Sequence, residues 1–182
     1  LLQYMQKHFA DKAEIELVEI KDIPVFNKPA NKQVPEATLE IAAKIEEADG
    51  VIIGTPEYDH SIPAVLMSAL AWLSYGIYPL LSKPVMITGA SYGTLGSSRA
   101  QLQLRQILNS PEIKATVLPD EFLLSHSLQA FDQNGDLVDL DVIKKLDAIF
   151  DDFRIFVKVT EKLRNAQELL RKDAEDFDWE NL

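Results

Sequence analysis

Two aliphatic runs constrain this chain more than any other feature: Val51-Ile52-Ile53-Gly54 and Pro84-Val85-Met86-Ile87-Thr88, each flanked by apolar residues at helical spacing. A run with no polar alternation suits a strand buried on both faces, and such strands belong to parallel sheets covered by helices. Before the first run, Leu39, Ile41, Ala42, Ile45 and Ala48 predict a helix from Glu36 to the stop at Asp49-Gly50. Between the runs a helix is expected over residues 62–73, with Pro63 tolerated in its first turn. After the second run, Ser97 or Ser98 can cap a helix through Leu108, and short strands follow at 114–118 and 122–124. A long helix over about 139–170 then carries Ile143, Leu146, Ile149, Phe150, Phe153, Val157 and Leu163 on its apolar side. This alternation predicts an α/β fold: a doubly wound parallel sheet in three layers, joined by right-handed crossovers.

The amino-terminal part reads differently. Leu1, Met5 and Phe9 share one stripe and predict a helix over residues 1–11. Glu14-Ile15-Glu16-Leu17-Val18-Glu19-Ile20 then alternates acidic and aliphatic residues, the two-residue period of a strand near a sheet edge. Pro24, Pro29 and Pro35 make residues 21–35 a surface loop. Residues 1–172 are expected to form one domain and 173–182 an acidic tail. The first helix follows no apolar strand and Leu1 is not an initiator Met, so a central first strand and its phosphate loop are expected upstream of Leu1.

Composition narrows the chemistry. Against 18 Lys and Arg stand 29 Asp and Glu, a formal net charge of −11 on 182 residues, and a polyanion such as nucleic acid would be repelled. The absence of cysteine excludes disulfides, thiolate nucleophiles and iron–sulfur clusters, and points to a reduced cytoplasm. Apolar runs break well short of the roughly 20 residues a spanning helix needs, so no membrane partner is expected. His8, His60 and His126 are scattered, and no metal site is expected.

In open parallel sheets ligands bind outside the carboxyl ends of the strands, which directs attention to the loops after Ile53 and Thr88. The first continues as Thr55-Pro56-Glu57-Tyr58-Asp59-His60-Ser61-Ile62-Pro63-Ala64-Val65-Leu66-Met67-Ser68-Ala69-Leu70-Ala71-Trp72-Leu73. The second reads Gly89-Ala90-Ser91-Tyr92-Gly93-Thr94-Leu95-Gly96-Ser97-Ser98-Arg99. Together they resemble the NADPH-dependent FMN reductase family, a flavodoxin-like group of quinone, chromate and azo-dye reductases. The family pattern T-P-E-Y-N-x-S-I-P-x-x-L-K-N-A-[IL]-D-W is met with Asp59 for its Asn, Met67-Ser68 for K-N and Ala71 for D. The resemblance extends through Phe131-Asp132-Gln133-Asn134-Gly135-Asp136-Leu137 and covers roughly residues 36–155.

The resemblance implies an FMN lying between the two loops, NADPH or NADH as co-substrate, and a small-molecule electron acceptor such as a quinone, flavin or azo compound. It implies a homodimer or homotetramer, for which the apolar segment 66–80 offers a contact. The cofactor-binding set becomes Pro56, Glu57, Tyr58, Asp59, Ser91, Tyr92, Gly93 and Gly96, with no catalytic side chain because FMN carries the hydride chemistry. Physical chemistry agrees: Pro56 bends the chain so that the N–H groups of Glu57, Tyr58 and Asp59 point at a flat ring. Gly93 and Gly96 admit a ring face, and Ser91 offers a hydroxyl.

Individual roles follow. Glu57 acts through its backbone while its side chain makes a helix-cap or subunit contact; Tyr58 either packs on the sheet end or, as the resemblance favours, lies beside the flavin or nicotinamide; Tyr92 covers the ring or faces solvent. Arg99 and Arg105 either form a solvated face or reach a phosphate or subunit contact, and Trp72 and Leu73 are packing residues. Asp59 lacks the amide donor of the family's Asn and would repel an electron-rich reduced flavin.

Two other classes compete. A flavodoxin-type electron carrier without NAD(P)H oxidation would suit the acidic surface. Gly89-Ala90-Ser91-Tyr92-Gly93 also fits the G-x-S-x-G elbow of a serine hydrolase, with Asp120 and His126 following, although the required helix does not start directly after the serine.

Overall fold

The structure, a computed structural model, describes residues 1–175. Its helices are α1 (Leu2–His8), α2 (Glu36–Glu47), α3 (Ala64–Trp72), α4 (Ser98–Leu108) and α5 (Leu140–Glu175); its strands are β1 (Val51–Gly54), β2 (Pro84–Ala90), β3 (Thr116–Val117) and β4 (Phe122–Leu124). All pairings are parallel. β2 is central, with β1 on one side, while β3 and β4 share the other side, β3 along the start of β2 and β4 along its end.

Side-chain alternation along β2 divides the core into two layers. Val85 and Ile87 pack with Leu66 and Leu70 of α3 and Ala100, Leu104 and Leu108 of α4. Met86 faces the other way, into Tyr4 and Met5 of α1 and Leu146, Ile149, Phe150 and Phe153 of α5. There Phe9 and Phe150 stack with ring centroids 3.8 Å apart and planes 6° apart, both fully buried. Trp72 closes a smaller cluster, its Nε1 donating to Pro24 O at 2.8 Å, and Leu73 is buried in the layer beside it. The expected doubly wound, three-layer plan is therefore present: α1 and α5 cover one face, α2, α3 and α4 the other.

Several expectations need correction. Val51 to Gly54 is half-buried rather than fully buried, because β1 is an edge strand among the described residues. Residues 14–20 form no strand: Ile15, Leu17 and Ile20 are half-buried and the glutamates exposed, but no strand among the described residues pairs with them. The strand expected at 114–118 shrinks to Thr116–Val117, with Lys114 at φ 47° turning into it. Leu163 is exposed, because α5 continues past the sheet and its packed side ends near Thr160. The segment expected as a tail starts inside α5, and residues 176–182 lie outside those described.

Candidate active site

Parallel pairing brings the ends of β1, β2 and β4 out on one edge, and the three loops that follow these strands meet there. In the first loop the Thr55 N–H donates to Thr88 O at 2.9 Å, extending the ladder one residue beyond β1. Tyr58 and Ser61 then exchange backbone hydrogen bonds of 3.0 and 2.9 Å around Asp59 and His60, whose φ angles are 51° and 62°. Two successive left-handed residues make a type I′ turn, a conformation that Asn and Asp tolerate far better than most residues. The end of the loop is pinned to α4: Ser61 Oγ and the Ile62 N–H both donate to Gln103 Oε1, at 2.7 and 2.8 Å.

Glu57 reaches across to α4 as well. Its side chain is 10% exposed; Oε2 accepts the Arg99 N–H at 3.0 Å, and Oε1 lies 3.4 Å from Arg99 Nη1. The expected cap from Ser97 or Ser98 is absent: Ser97 is the N-cap, but its φ of 71° carries the hydroxyl away and it makes no capping bond. The carboxylate of Glu57 takes that place and faces the positive end of the helix dipole.

The second loop braces itself. Ser91 Oγ accepts the Gly96 N–H at 2.9 Å and donates to Gly93 O at 3.2 Å, so this hydroxyl is engaged within the loop. Gly96, at φ 57°, is required by β4 and not by a ring, because a Cβ there would stand 2.7 Å from the Leu123 carbonyl carbon. Gly89 carries the tightest requirement, since a Cβ would lie 2.0 Å from Ser97 Oγ and 2.2 Å from Thr55 O. Gly93 alone of these opens outward, with nothing within 4 Å of a Cβ built on it.

A third loop adjoins the second, and the sequence analysis names only His126 of it, as a hydrolase candidate. The N–H groups of His126 and Ser127 donate to Gly93 O and Ser91 O, each at 3.0 Å, and Ser125 Oγ donates to Thr94 O at 2.6 Å. Only the register of β4 against β2 reveals this neighbourhood. Below it, buried Gln101 ties α4 to Phe122 O at 3.0 Å, and Arg105 donates to Leu118 O at 2.8 Å, filling the break between β3 and β4.

Among the described residues, the N–H groups of Glu57, Asp59, Tyr92, Gly93 and Thr94 have no protein acceptor. The Tyr58 N–H, expected in this set, is instead taken by Ser61. Tyr58 and Tyr92, 63% and 73% exposed, stand on the two principal loops. The serine-hydrolase constellation does not assemble. Asp120 precedes β4 and His126 follows it, at opposite ends of the strand, and Ser91 Oγ is held within its own loop.

Over residues 1–129 the sequence matches the family described as NADPH-dependent FMN reductase. The chain belongs to this family. It is 50% identical over 181 residues to the CrdA subunit of the NADH:(hydroxy)cinnamate reductase of Vibrio ruber, covering 99% of this chain and 89% of that protein. It is 46% identical over 166 residues to subunit 2 of an NADH-dependent flavin reductase of Lactobacillus johnsonii, covering 88% and 89%. Among solved structures, the flavoenzyme FerB, an NAD(P)H:(acceptor) oxidoreductase of Paracoccus denitrificans, superposes with a TM-score of 0.70 at 27% identity over 88% of this chain and 87% of that one. This FMN reductase is thus a flavodoxin-like oxidoreductase that works with FMN and a nicotinamide. The residues present fit the ring of that cofactor: the unpaired N–H groups suit ring oxygens and nitrogens, and no atom lies within 4 Å of a Cβ built on Gly93. The amino end of α4 is already occupied by the Glu57 carboxylate.

Proposed function

We propose that this FMN reductase passes two electrons from NADH or NADPH to a flat, conjugated small molecule such as a quinone, a free flavin or an azo compound, at the crevice where the β1, β2 and β4 loops meet. The observation that carries this reading is the set of unpaired N–H groups of Glu57, Asp59, Tyr92, Gly93 and Thr94, open to solvent between two exposed tyrosines. When bound, FMN supplies the hydride-accepting and hydride-donating centre that no side chain here provides.

The chain's own residues bind and orient. Pro56 sets the bend of the first loop, and the N–H groups of Glu57 and Asp59 hold one edge of the ring. Tyr92 and Gly93 hold it from the second loop, with the Tyr92 ring as a stacking surface and Gly93 admitting close approach. Tyr58, exposed on the first loop, would offer a ring against a bound flavin or nicotinamide. Ser91 and Gly96 contribute indirectly, by fixing the loop that presents Tyr92 and Gly93. The protein acts in the cytoplasm as a homodimer or homotetramer.

The subunit names of the two bacterial relatives favour a second reading, in which the electrons pass to a partner chain. One experiment separates the readings. The purified protein is loaded with FMN, its visible spectrum recorded, and NADH or NADPH added without oxygen. Rapid bleaching, and reoxidation by a soluble quinone, support the reductase; bleaching that reverses only with a partner protein supports the second reading; a flavin that never bleaches removes both and leaves an electron carrier.

A further inference from the structure

The first loop carries two carboxylates, and the structure treats them differently. Glu57 is neutralised by the Arg99 guanidinium and the amino end of α4. Asp59, exposed at the tip of the type I′ turn, makes no side-chain hydrogen bond or ion pair among the described residues. The arginines of α4 are engaged with other groups: Arg99 with Glu57, and Arg105 with Leu118 O and Pro119 O. One uncompensated negative charge thus stands on the loop whose unpaired N–H groups line the crevice.

Resting on the function proposed above, we infer that Asp59 sets the reducing power of the bound flavin. Two-electron reduction adds negative charge to the ring, so a fixed carboxylate beside it destabilises the reduced form relative to the oxidised one. One unit charge acting across about 6 Å, at an effective dielectric constant near 40, changes such an equilibrium by about tenfold. For a two-electron couple, tenfold corresponds to about 30 mV. Asp59 therefore keeps the flavin a stronger reductant than an amide at this position would, and widens the set of acceptors it can reduce. The turn makes the comparison clean, since Asn and Asp both accept the left-handed backbone that residue 59 adopts at φ 51°.

The test is the midpoint potential of FMN bound to the intact protein, measured against reference dyes for wild type, Asp59→Asn and Asp120→Asn. The last removes the same charge at the far end of β4. The expected result is a potential raised by about 30 mV, the tenfold change above, in Asp59→Asn alone. A salt-induced rise in potential that is smaller in Asp59→Asn than in wild type reads the same charge a second way. If wild type binds FMN but the substitution does not raise its potential, the role of Asp59 is overturned while the proposed function stands. If wild type binds no FMN, both fall.

Discussion

The Glu57 carboxylate closes the amino end of α4 by accepting the Arg99 N–H at 3.0 Å, joining the loop after β1 to the helix after β2. Loss of a capping carboxylate costs about 1 kcal/mol. Glu57→Ala should lower stability by about that amount and weaken FMN binding, because the first loop loses its tie to α4. Glu57→Gln keeps an acceptor oxygen and should recover most of the stability. Urea denaturation and FMN titration of both variants check this, and equal losses in the two would show that charge rather than hydrogen bonding holds the contact.

The glycines of the second loop divide by what surrounds them. Gly89→Ala forces a methyl to 2.0 Å from Ser97 Oγ and should destabilise by more than about 2 kcal/mol, since backbone and loop must both shift. Gly93→Ala meets nothing within the protein and should leave thermal stability unchanged. Its cost should appear in FMN affinity. Differential scanning calorimetry and flavin fluorescence quenching separate the two effects.

Tyr92 is exposed and its ring supports no core contact, so Tyr92→Ala should be neutral for stability. Aromatic stacking is worth about 0.5–1.5 kcal/mol, and the same substitution should weaken FMN binding by about two- to tenfold. Unchanged affinity would place the ring outside the site.

The turn before α5 makes a pH prediction. Asp132 Oδ1 accepts the N–H groups of Asn134 at 2.8 Å and Asp136 at 2.9 Å, and these bonds hold its carboxyl below the ordinary value of 3.8. A group whose folded pKa is lowered contributes stability that is present above its unfolded pKa and lost as pH falls through the folded one. Thermal midpoints should therefore fall more steeply below about pH 4 in wild type than in Asp132→Ser, whose turn lacks the titrating group. Parallel curves would show that this carboxylate does not contribute.

The sheet was legible because Val85, Met86 and Ile87 have no polar neighbours to dilute the signal, and parallel pairing followed from the helices between the runs. Residues 14–20 misled because alternation reports which side chains are covered, not whether a partner strand lies alongside. In the two main loops the sequence marks the strand ends but not which groups are spent on the protein itself. Ser91 and Gly96 brace the second loop, Tyr58 gives its N–H to the turn, and the packing need at Gly89 leaves no local mark because it comes from distant segments. The third loop, with Ser125, His126 and Ser127, becomes adjacent only through strand register.

Residues 99, 101, 103 and 105 of α4 each hold a different anchor: Glu57, the Phe122 carbonyl, the end of the first loop and the carbonyls beside β3. A helix fastened at four successive points cannot swing as a lid. The floor behind the first two loops is therefore held in place, and closure of α4 has no part in how a ligand would arrive or depart.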